Sequence, residues 1–153
     1  MTSSDYADAP DAFKAFLADA RGRMGHAVEN DDVACSAVDA VLQVFRRRLT
    51  PPEVIAFGDV LPATLRAMLV FNWKVDAVPV PWGSRSELVR EVMAMRKSDG
   101  LTPLNVIDAT AFALWKHCDP LALAKVLSEL GAGAQEFWGM PAEVTEELLD
   151  QQS

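Results

Sequence analysis

The sequence predicts an all-α fold from three observations. Apolar residues recur at helical spacing along most of the chain, and no stretch of strict alternation is long enough for a strand. Proline helix starts and capping boxes punctuate the chain at regular intervals. The second half also repeats features of the first at a constant offset, as expected of a duplicated helical unit.

Residues 1–10 read as an acidic flank, with Asp5 and Asp8 ahead of the first apolar periodicity, and a helix follows at 10–24. Asp31-Asp32 opens a helix over 31–48, where the positive end of the macrodipole favours carboxylates. One face of that helix carries Ala34, Ala37, Val38, Val41, Val44 and Phe45, and the opposite face carries Asp39, Gln43 and Arg46. Thr50-Pro51-Pro52-Glu53 is a capping box with proline at the first helical position, which starts a helix over 51–58. Pro62 starts another over 62–72. Residues 74–83 are proline-spaced and therefore extended, forming the connector between the halves.

Ser84-Arg85-Ser86-Glu87 is a second capping box and opens a helix over 85–97. Thr102-Pro103 predicts a helix over 103–118. Phe112 and Trp115 oppose Ile107 and Leu114 on it, so it is apolar nearly all round and reads as the central buried helix. Asp119-Pro120 starts a helix over 120–130, and a shorter one covers 132–139. Gly131 and Gly133 weaken that last element by about 1 kcal/mol each relative to alanine. Residues 140–153 read as a short acidic helix, near 141–149, or tail: Glu143, Glu146, Glu147 and Asp150 stand there without a Lys or Arg.

Adding 69 to the residue number superimposes Val38–Leu69 on the second half without a gap. Asp39 falls on Asp108, Pro51 on Pro120, Leu61 on Leu130 and Phe45 on Leu114. The first helix meets the fifth at an offset of 75, with Arg21 on Arg96. The expected organisation is one domain over 11–139, built from repeats at about 11–73 and 84–139 around a pseudo-two-fold. Val38-Asp39-Ala40-Val41-Leu42, the Arg48-Leu49-Thr50-Pro51-Pro52-Glu53 start, Leu61-Pro62-Ala63-Thr64-Leu65-Arg66, Asn72-Trp73, Asp119-Pro120 and Phe137-Trp138 carry a family likeness. Through them the chain resembles the bacterial family catalogued as domain of unknown function 2267. The resemblance covers about residues 11–139. It implies a duplicated all-α fold and brings no assigned activity. The second copy departs from the pattern where Gly131 replaces the helix-starting proline and Gln135 replaces the arginine.

Half of the 153 residues are hydrophobic and 24 % are charged, which supports a packed core and excludes a disordered chain. A net charge of −8 makes nucleic acid an unlikely partner, because phosphate backbones repel it. Arg46-Arg47-Arg48 is the one basic run; a nucleic-acid patch there competes with the ordinary use of arginine at helix ends. The start of the sequence lacks a basic and apolar leader, and no apolar run approaches the ~20 residues of a membrane span, so a cytoplasmic location is expected. Cys35 and Cys118 read as reduced core thiols.

No catalytic constellation, glycine-rich phosphate loop or cofactor motif stands out. His117-Cys118 cannot share one metal from one helical face, so no metal site is expected. Asp39 and Asp108 occupy matched positions, where they serve either a cation or partner amides near the pseudo-two-fold, or simple solvated contacts. The leading functional expectation is a non-enzymatic module that binds another protein or itself, with Trp82, Trp138 and Met140 as aromatic and apolar anchors. The alternative is a small-molecule pocket between the repeats using Arg66, Asp108 and His117.

Overall fold

A computed structural model describes residues 9–26, 28–96 and 101–139. Among these residues the chain is all-α with no strand: α1 (Ala9–Met24), α2 (Asp31–Arg46), α3 (Pro51–Gly58), α4 (Ala63–Val70), α5 (Arg85–Met95), α6 (Val106–His117), α7 (Pro120–Leu130) and α8 (Ala132–Trp138). The expected helix near 141–149 lies outside the described residues, as does Met140.

The start signals act as local chemistry demands. Asn30 Oδ1 accepts the Val33 N–H at 3.0 Å and opens α2. The Thr50–Glu53 capping box forms at α3, with the Thr50 N–H donating to Glu53 Oε1 at 2.8 Å. Ser84 and Glu87 exchange the same pair of bonds at α5, at 3.1 and 3.2 Å. Asp119 accepts the Leu121 N–H at α7, where Pro120 removes the donor of the first helical position. Thr102-Pro103 fails as a start, and α6 opens only at Val106. The Thr102 hydroxyl is taken by the Arg96 guanidinium at 2.5 Å, so it is unavailable as a cap.

The core gathers around α6, which packs on α1, α2, α7 and α8 and buries Ile107, Leu114 and Trp115 on different sides. An aromatic knot closes it: the Phe45 ring lies 4.7 to 5.8 Å from those of Phe57, Trp82, Phe137 and Trp138. Gly131 ends α7 at φ 105, a left-handed value that suits glycine. Gly133 has another purpose. A Cβ there would stand 2.5 Å from two Trp82 ring carbons, so the missing side chain is the seat on which the indole lies. Alanine at 133 gains about 1 kcal/mol of helix propensity and loses more by displacing Trp82. Gly133→Ala is therefore expected to cost about 1 kcal/mol net and to shift Trp fluorescence. An equal or raised melting temperature contradicts this.

Candidate functional site

The connector that leaves α4 folds back along the C-terminal end of α2, and the groove between them is the candidate site. Its path is fixed by backbone chemistry. α4 stops at Val70, Phe71 is extended and Asn72 takes φ 52, a left-handed turn that reverses the chain. The Trp73 N–H donates to Val70 O, the Ala77 N–H to Lys74 O, and the Val80 N–H to Arg47 O at 2.9 Å, which pins the far end of the connector to α2. Pro79 and Pro81 on either side of Val80 keep it extended.

The groove encloses about 350 Å³. Leu49, Trp73, Val75 and Met95 give it an apolar lining, and Arg46, Arg47 and Lys74 give it charge. Arg46 donates to the carbonyls of Leu69 at 2.7 Å and Phe71 at 3.1 Å, closing the end of α4. Partial burial pulls its pKa down, and the Asp39 carboxylate opposes that pull. Burial in turn raises Asp39, held against it by the Gln43 amide at 2.7 Å. Beside the groove an apolar strip faces water: Val70, Phe71 at 66 % exposure, Val75, and Val78 at 84 %. A lone exposed apolar side chain is ordinary, whereas these four fall within nine residues, at the end of α4 and along the connector.

The model of the family described as uncharacterized conserved protein, DUF2267, matches residues 13–137. The chain belongs to this family. No curated protein matches it. In this DUF2267 chain the predicted anchors are placed differently from expectation. Trp138 is only 2 % exposed, stacked on Phe57 at 5.8 Å, with its carbonyl accepting from Trp115 Nε1 at 3.2 Å. It is a core residue and presents nothing to a partner. Trp82 is half-buried, its ring spent on Gly133, Phe45 and Phe137.

The pocket candidates make separate contacts, and none of them lines the connector groove. Arg66 clamps the end of α3, donating to Gly58 O at 2.9 Å and Leu61 O at 3.1 Å. Asp108 stands in solvent 3.6 Å from Arg85. His117 joins α6 to α1 through Asp19 Oδ2 at 2.6 Å, which helps hold the Asp19 carboxyl below its usual range. Arg48, expected as one possible phosphate contact, is 6 % exposed and bonded to Glu91 and Val44 O. Cys118 is buried, and burial pushes its thiol up to about 12, which disfavours the thiolate. Among the described residues no three His, Cys, Asp or Glu side chains gather as a metal site, and no helix is long and apolar enough to cross a membrane.

Sequence reasoning missed the groove because its walls come from residues 43, 46, 47, 49, 72–75, 77 and 95, which meet only in the fold. One signal was available. Val75 and Val78 are large apolar residues in the proline-spaced connector, which offers no periodic face to bury them.

Proposed function

We propose that this chain is a non-enzymatic self-association module, in which a second copy covers the apolar strip of the connector. The exposure of Phe71 and Val78 carries this reading. A patch of this kind on one chain meets the same patch on another about a two-fold axis, giving a closed pair. Aromatic and β-branched side chains are effective there, since they remove apolar area from water at little cost in conformational freedom. The localisation we propose remains cytoplasmic.

The same reading takes the body of the module as a tandem duplication. Its support is a pair of matched bonds: an offset of 69 carries Arg46 to Trp115 and Leu69 to Trp138, and Arg46 donates to Leu69 O as Trp115 Nε1 donates to Trp138 O. Arg21 and Arg96, matched at offset 75, each reach forward to a carbonyl of the following loop, Glu29 O and Leu101 O. Exchanging the halves also preserves much of the packing, since α1 lies on α6 as α5 lies on α2, and α3 lies on α7.

The test is sedimentation of the full chain beside a Phe71→Ser, Val78→Ser variant. Both positions face water, so the variant retains its helicity by circular dichroism. The wild type sediments as a pair at micromolar concentration and the variant as a single chain. Equal sedimentation of the two refutes the role of the strip.

A further inference from the structure

The groove carries a positive surplus inside an acidic chain. Arg47 and Arg48 share one carboxylate, Glu91. Arg48 engages both its oxygens, at 2.5 and 2.9 Å, and Arg47 stands outside at 3.4 Å, half-exposed. Lys74 is exposed on the lip and ion-pairs with no carboxylate among the described residues. The charged residues that line the groove are Arg46, Arg47 and Lys74, while the whole chain stands at −8. A groove with an apolar lining and cationic edges selects a segment that carries carboxylates between apolar side chains.

This chain contains such a segment. Residues 141–153 carry Glu143, Glu146, Glu147 and Asp150, interleaved with Val144, Leu148 and Leu149, and no Lys or Arg. They follow the family match, which closes at residue 137. Val144 and Leu148 are spaced by four, the repeat that places two apolar side chains on one helical face. We propose that the connector groove of one copy receives the acidic segment 141–153 of a second copy, reciprocally, so that two grooves and two segments close a dimer. The proposal rests on the self-association reading and adds the contact that sets its charge dependence. The charges of Glu146 and Glu147 complement those of Arg47 and Lys74.

Charge reversal in the full chain tests it. Arg47→Glu with Lys74→Glu changes only exposed side chains, and helicity is checked by circular dichroism. Sedimentation equilibrium is expected to give a dimer constant at least about tenfold weaker, with little remaining dependence on salt between low and high sodium chloride. Adding Glu146→Lys and Glu147→Lys to the same chain restores the pairing in inverted sense and is expected to recover the dimer; structural damage to the groove cannot be repaired from the other segment. If groove reversal leaves the dimer unchanged while Phe71→Ser, Val78→Ser dissociates it, the groove contact is overturned and the apolar interface stands. Failure of the double reversal to recover the dimer also overturns the groove contact. A wild type that sediments as one chain at every concentration overturns the self-association reading itself.

Discussion

Phe45→Ala is expected to cost about 3–5 kcal/mol, the largest effect of any single truncation considered. Phe45 is fully buried at the meeting point of both halves, with four aromatic rings around it from α3, the end of the connector and α8. Truncation removes the transfer energy of the ring and leaves a hole walled by Phe57, Phe137 and Trp138, stiff side chains that cannot collapse into it without leaving their own rotamers. Trp82 rests on the same ring, so the loss extends to the seating of the connector on α8. Urea unfolding followed by Trp fluorescence and by circular dichroism measures it. A loss below about 1 kcal/mol contradicts the central place given to this ring.

Arg48→Met is the second large effect, at about 2–3 kcal/mol at neutral pH. It strips the bidentate partner from Glu91 and releases Val44 O, while Arg47 at 3.4 Å and partial exposure of Glu91 keep the cost below that of a fully buried broken pair. The effect depends on pH with a defined sign. Arg48 holds the Glu91 carboxyl below its ordinary 4.5, so its stabilisation is fully present above that value and is lost as pH falls through the depressed folded-state value. Wild type and Arg48→Met therefore differ most near neutrality and converge in acid. Unfolding curves across that range check the sign, and a gap that widens in acid contradicts it.

Much of the fold was legible because its punctuation is local. The Thr50-Pro51 and Asp119-Pro120 starts need only their own next three residues, and they stand where the sequence places them. The central burial of α6 followed from apolar residues on every side. What failed was decided at a distance. Thr102 looks like a cap until Arg96 takes its hydroxyl, and Gly133 looks like a defect until Trp82, from the connector, arrives on it. Composition named the tryptophans as anchors, yet it cannot rank one aromatic against another: Trp138 has the even burial of a core residue, while Phe71 sits just past the end of α4 and has no partner face. The arginine run was legible as helix-end chemistry, since Arg46 and Arg48 are expended on carbonyls and Glu91. The groove that Arg46 and Arg47 help line required the path of the connector, which the Val80–Arg47 bond pins to α2.

The most direct test of self-association is the native mass of the untagged full-length chain at micromolar concentration and moderate salt. The account predicts a species at twice the 16.7 kDa chain mass, dissociating to single chains on dilution. A mass of one chain at all concentrations would contradict it.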